Sequence, residues 1–228
     1  NCQSKNAKSG SLIIESSDVL ISNLLAYGLT KPEIKLRSLD GALNFVNSNI
    51  KINSITSDSA SSEDAINFIN SKVEANDINV FNTFSDGIDS DFSRVNIKNI
   101  ACKNIGNDCF DASFTQGFLS IIDASNVGDK VISVGESSDL YIENTEINNS
   151  EIGLAVKDSS NLVIDKYLYS DVKLPITAYI KKEEFGSPNL LINSISSNES
   201  KYFLISNDSN VTIQGVNQKT KLNSKDVE

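Results

Sequence analysis

Three stretches of this chain carry acidic side chains at matched intervals. They are Ser85-Asp86-Gly87-Ile88-Asp89-Ser90-Asp91, Gly106-Asn107-Asp108-Cys109-Phe110-Asp111 and Gly128-Asp129-Lys130-Val131-Ile132-Ser133-Val134-Gly135-Glu136. A fourth, Ile152 to Asp158, adds Lys157. Asp86 and Asp108 are 22 residues apart, and so are Asp89 and Asp111. If those intervals bring the members of each pair together, the carboxylates cannot both stay ionised cheaply. One holds a proton, a cation such as Ca2+ lies between them, or lysines neutralise them. Lys130 and Lys157 are placed for the last role. The plainer alternative is that Asp, Asn and Gly cap turns, where they accept backbone N–H groups. The concentration of acids in three adjacent segments favours a site that faces a ligand.

Composition removes other chemistries. The chain has 228 residues, no His, and a formal net charge of −10. Ser-His-Asp and Cys-His catalysis and His-ligated metals are therefore excluded. An acidic chain lacks the basic face that a nucleic acid needs, so no nucleic-acid partner is expected. No apolar run reaches the length of a membrane span. Cys2, Cys102 and Cys109 form no CxxC pair. Free buried thiols are expected for Cys102 and Cys109, with a disulfide between them as the other option. The chain starts at Asn1 rather than Met, which points to a longer parent chain.

The elements that must position the acids follow from the period. Short alternating stretches such as Val95-Asn96-Ile97, Leu140-Tyr141-Ile142 and Val211-Thr212-Ile213 read as strands. Their first apolar residues fall at Val19, Ile50, Val73, Val95, Phe118, Leu140, Leu162, Leu190 and Val211. A second register, Ile66, Ile88, Phe110, Ile132, Leu154 and Ile176, repeats every 22 residues. Polar turns rich in Ser, Asp and Asn precede the strands. A repeat of this length with short strands predicts a parallel β-helix of about eight to nine coils, stacked roughly 4.8 Å apart. Inward positions then form ladders of Ile, Leu, Val and Phe, and turn Asn and Ser side chains hydrogen-bond from coil to coil. With Ile88 and Phe110 inward, Asp89 and Asp111 point outward. Asp91 shares a column with Ser113, Gly135 and Lys157. The β-helix is expected over residues 1–216, with a polar tail or linker at 217–228. Two excursions interrupt it, Tyr27 to Leu39 with Pro32, and Lys181 to Pro188, which lengthens its coil by six residues.

The four acidic and basic segments resemble the four consecutive motifs of the polygalacturonase family of glycoside hydrolases. That family's N-T-D-G-I-D is similar to Ser85 to Asp89, its G-D-D-C to Gly106 to Cys109, its G-H-G-x-S-I-G to Asp129 to Gly135, and its R-I-K to Ala155-Val156-Lys157. The resemblance covers residues 80–165 and implies a right-handed, single-stranded parallel β-helix. It also implies action on an extended polysaccharide, by hydrolysis or by a lyase or epimerase variant, outside the cell or at its surface. Asp86, Asp89, Asp108, Asp111, Lys130 and Lys157 become the candidate catalytic residues. Asp91, Asp129, Glu136, Tyr179 and Lys181 become candidates for holding the sugar, with Tyr179 and Phe185 as the aromatic faces. No metal ligand set or organic cofactor is implied; the one exception is Ca2+ at the acids. The chain departs from the family where Asn107 replaces the general acid, Lys130 the His and Ala155 the Arg. The alternative is a non-catalytic module, a spacer or glycan-binding platform of a larger surface or secreted protein.

Overall fold

The computed structural model describes residues 2–5, 10–31, 39–197, 203–218, 220 and 222–226. The chain forms a parallel β-solenoid of about eight turns. Among the described residues there is no α-helix, only a short 3-10 turn at Ser224–Asp226. Strand pairs between successive coils are parallel throughout, from Leu12–Glu15 to Asn210–Ile213. The exception is Val216–Asn217, which turns back antiparallel on Asn210–Ile213.

The 22-residue column is the core. Leu43, Ile66, Ile88, Phe110, Ile132, Leu154 and Ile176 stack in register and are fully buried. Each contributes about 1.5–3 kcal/mol by leaving water. The other column stacks Val19, Ile50, Val73, Val95, Gly117, Leu140, Leu162, Leu190 and Val211. Gly117, not Phe118, is thus the inward residue of its coil. Phe118 lies on the outer face, where its ring stacks on Tyr141 with centroids 5.6 Å apart.

Side chains make the corners. Asn82, Asn104, Asn126 and Asn149 all take positive φ, between 53° and 57°, a region Asn tolerates better than most residues. Their amides then bond coil to coil: Asn104 donates to Asn82, Asn126 to Asn104 and Asn149 to Asn126, each at 2.8 Å. A second corner uses hydroxyls. The backbone N–H groups of Ser48 and Ser71 donate to the hydroxyls of Ser71 and Ser93 at 3.0 Å, that of Ser93 to Thr115 at 3.3 Å, and that of Thr115 to Ser138 at 3.0 Å. The expected ladders of Asn and Ser therefore hold both corners, inside the fold in the case of the hydroxyls.

Thr115 tests that ladder. It is fully buried, and its hydroxyl also donates to the Ser90 carbonyl at 2.6 Å. Thr115→Val keeps the shape but strands the Ser93 N–H and the Ser90 carbonyl. The expected loss is about 1–3 kcal/mol, read as a lower urea midpoint. An unchanged midpoint would show that the corner does not depend on this hydroxyl.

Cys102 and Cys109 are joined in a disulfide with Cα atoms 6.0 Å apart, which corrects the expectation of free thiols. Both half-cystines are buried and link the end of one strand to the turn before the next within a single coil. The extra six residues after Tyr179 form a loop, since Asn161 pairs with Asn189. The early excursion falls between paired residues Val19 and Ile50, and its residues 32–38 lie outside those described. Beyond Asn210–Ile213, Leu222 forms a parallel bridge with Ser206, and the Ser224 hydroxyl accepts the Ile180 N–H at 3.0 Å.

Candidate functional site

The acids gather on one face of the middle coils. Strands Asp64–Ile69, Asp86–Asp91, Phe110–Ser113 and the ends of Gln116–Gly135, Asp139–Lys157 and Asn161–Tyr179 lie side by side there. Alternation sends Ile88, Ser90, Phe110 and Ala112 inward, all fully buried. Asp89, Asp91, Asp111 and Ser113 fall on the outer side and stay half-buried. Asp89 pairs in register with Asp111, and Asp91 with Ser113, so the members of each pair are roughly 4.8 Å apart at the backbone. The outer column runs Asn44, Asn67, Asp89, Asp111, Ser133, Ala155, Thr177. This is the placement that the period predicted for Asp89 and Asp111.

The column that starts each strand has another role. Asp86 accepts hydrogen bonds from the Asp108 N–H and the Asn107 amide, both at 2.7 Å. Asp108 accepts from the Lys130 N–H at 2.9 Å and from its ammonium at 3.4 Å. Each carboxylate thus caps the turn of the next coil. Asp64, one coil earlier and in register with Asp86, continues the column; it is buried and accepts from the Asn67 amide at 2.9 Å. Asp64 was not among the sequence candidates, although it stands 22 residues before Asp86.

The lysines are committed elsewhere. Lys130 pairs with Asp108 and Asp129. Lys157 is buried and donates to the Ser133 hydroxyl at 2.9 Å. Lys130 is thus a partner of the acid cluster, as its place in the sequence suggested, although through Asp108 and Asp129 and not through Asp89 or Asp111; Lys157 bonds to a hydroxyl instead. Glu136 is nearly buried and accepts from the Ser113 hydroxyl and from the Lys182 ammonium, both at 2.5 Å. Lys182 sits in the added loop. The buried Asp158 carboxylate fixes that loop by accepting the Lys181 and Lys182 N–H groups at 2.7 and 2.9 Å. The Lys181 side chain is exposed. Tyr179 is buried at the strand end, so it offers no ring to a sugar. The loop was predictable from the length of its coil, but the pairing of Lys182 with Glu136 was not.

Burial sets the electrostatics. It pushes Asp89 up to about 9, helped by repulsion from Asp91, Asp64 and Asp111. Burial lifts Asp64 to about 7, with Asp86 adding to the effect. Asp108 also rises to about 7 through burial, although Lys130 opposes it. Asp86 and Asp91 rise for the same first reason, Asp91 with Asp111 and Glu136 as further causes. Burial would raise Glu136 too, but Lys182 and Ser113 outweigh it and hold it low. Burial alone would lower Lys130; Asp108 and Asp129 reverse this and raise it. Among the described residues no three Asp, Glu, Cys or His side chains converge in a way that would hold a metal ion.

Aromatic rings border the acids. Phe92 follows Asp91 and Phe114 follows Ser113 in the chain. Their rings stack with centroids 4.7 Å apart and planes 6° off parallel, and they are 58% and 40% exposed. Phe185, from the added loop, tilts against Phe114 at 6.0 Å. On the far side of the pair a groove of about 390 Å³ is lined by Asn47, Asn70, Arg94 and Gln116 as well as both rings. Sequence reasoning named Phe185 and missed Phe92 and Phe114, whose signal was a Phe recurring after 22 residues just past the outward acids. No protein-family model, curated protein or solved structure matches the chain.

Proposed function

We propose that this β-solenoid is a carbohydrate-binding platform of the polygalacturonase type that grips an extended polysaccharide without cleaving it. The observation that carries the reading is the exposed Phe92–Phe114 stack beside the unpaired carboxylates of Asp89, Asp91 and Asp111 on the same two coils. Flat apolar rings suit the C–H face of a sugar, and carboxylates accept its hydroxyls. A glycan laid across the coils meets the acids, crosses the rings and reaches the groove beyond them. Binding is favoured over hydrolysis because Asp86 and Asp108 already serve as turn caps, and Asn107 cannot donate a catalytic proton. In this reading the domain works outside the cell or at its surface as part of a longer chain. The Cys102–Cys109 disulfide supports an oxidising compartment.

Titration of the chain against a panel of polysaccharides and oligosaccharides tests this. At least one is expected to bind, with no release of reducing ends. The double variant Phe92→Ala/Phe114→Ala should lower that affinity about tenfold or more while the circular dichroism stays unchanged. Failure of every glycan to bind, or equal binding by the variant, would overturn the reading. Reducing ends released by the wild type would replace it with hydrolysis.

A further inference from the structure

We infer that the glycan taken by this face is built from amino sugars, whose ammonium groups seat among Asp89, Asp91 and Asp111. The inference rests on the glycan reading above and names its substrate class. Among the described residues, no donor side chain or backbone N–H bonds to the carboxylates of Asp89, Asp91 or Asp111, and no lysine pairs with them. They form a compact array, Asp89 beside Asp111 across the coils and Asp91 two residues along the strand.

A second, independent feature lies next to them. Asn67 occupies the position before Asp89 in the outer column and is 5% exposed. Its Nδ2 is spent on Asp64, and its Oδ1 has no partner. The group left over beside the array is therefore one more acceptor. Three neighbouring carboxylates on the face and one buried acceptor in the adjoining coil thus lack donors, and a ligand that completes the carboxylates must bring N–H or O–H groups.

Charge narrows the ligand further. Asp64, Asp86, Asp89, Asp91, Asp108, Asp111, Asp129 and Glu136 crowd this face, and Lys130, Lys157 and Lys182 are the cations near them. Those lysines are tied to Asp108 and Asp129, to Ser133 and to Glu136. Lys182 lies close enough to Asp91 to favour its ionised form but is bonded to Glu136, and Arg94 and Lys72 stand in the groove beyond the rings. Among the three carboxylates themselves a uronate therefore meets acids that repel it. A neutral sugar supplies donors but no charge. An ammonium supplies three N–H donors and a positive charge, and charge-assisted bonds of that kind are the stronger ones. The carboxylates lie side by side on a sheet and do not wrap around a point, an arrangement that suits an ammonium held on a sugar ring better than a bare metal ion. Seating the ammonium favours ionisation of Asp89, which burial keeps protonated, so binding is expected to release protons.

Calorimetry on the full chain, in two buffers of different ionisation enthalpy near pH 6, decides the matter. The probes are a glucosamine tetramer, its N-acetylated form, a galacturonate tetramer and spermidine. The glucosamine tetramer should bind about tenfold more tightly than the N-acetylated form and release protons, and galacturonate should bind most weakly. Asp91→Asn/Asp111→Asn should erase that preference yet keep the N-acetylated form, which the rings still hold. Equal affinity for the two tetramers, or a preference that survives in the variant, would overturn the inference and leave the glycan reading intact. Spermidine binding as tightly as the glucosamine tetramer would overturn it too, because the ammonium alone would then be the ligand. If neither tetramer nor any other glycan binds, the glycan reading itself falls.

Discussion

The protein is expected to melt at a higher temperature at pH 5 than at pH 9, against the usual behaviour of an acidic chain. The sign follows from proton binding. Asp89, Asp64 and Asp108 have folded-state pKa values raised to about 9, 7 and 7. The folded chain therefore holds protons that the unfolded chain has released. Stability is full below the unfolded value near 4. It falls as pH rises, through about 7 for Asp64 and Asp108 and through about 9 for Asp89. Glu136 works the other way, since its lowered value contributes stability only above the unfolded one and loses it in acid. The three raised carboxyls are displaced further and outweigh it, so maximal stability lies in mildly acidic solution. The values cited set an upper bound of roughly 10 kcal/mol on the loss between pH 5 and 9, and a fall of about 10 °C or more in Tm is expected for a chain of this length. Asp89→Asn replaces the acid by a neutral group of the same shape. It should match the wild type at pH 5 and exceed it by up to about 5 kcal/mol at pH 9. Calorimetric scans of both proteins at the two pH values check this. A wild-type Tm that is flat or rises towards pH 9 would show that the acid face is open enough to stay ionised.

The same carboxyls show how far the sequence alone leads. The column from Ile66 to Ile176 was legible because every inward position there is large and apolar, and its step of 22 residues is enough by itself to set Asp89 beside Asp111. The other column was misread at one coil. Gly117 occupies the inward place, and a Cβ there would meet Val95 Cγ2 at 2.4 Å, so the apolar Phe118 beside it drew the register one residue too far. The disulfide was open in the sequence because seven residues of separation do not say that a strand end and the next turn meet within one coil. Pairing of the charges was the least legible part. Lys130 and Lys157 lie on the expected coils, but which acid a long side chain reaches depends on burial and on loops such as the one that brings Lys182 to Glu136. Asp64 and the two phenylalanines obey the period too, but they stand outside the runs of acids that mark the site in the sequence.

Substitution at Gly106 should cost more than any change on the outer face. The turns just before the acid strands stack backbone on backbone. A Cβ at Gly106 would lie 2.0 Å from the Phe84 carbonyl oxygen, and one at Gly128 would lie 2.2 Å from that of Gly106. Neither obstacle is the end of a flexible side chain, so the coils themselves must part. The Asn107 N–H bonds to Ser85 at 3.2 Å and the Asp129 N–H to Asn107 at 3.0 Å, and both bonds lengthen if they do. The next residues along are Asp86, Asp108 and Lys130, so the caps described above shift as well. Gly106→Ala is expected to destabilise by roughly 3 kcal/mol or more, seen as a lower urea midpoint and a lower yield of soluble protein. Gly135→Ala is the control, because its Cβ would meet the Lys157 side chain at 3.5 Å and the Ala112 carbonyl oxygen at 3.9 Å, both ordinary contacts. A solenoid relays such a defect only to its neighbours, so hydrogen exchange should quicken first in the coils around residues 84–130 and least near residue 200. Equal tolerance of alanine at Gly106 and Gly135 would mean that the coils are not in contact at this corner, and the register that brings the acids together would have to be redrawn.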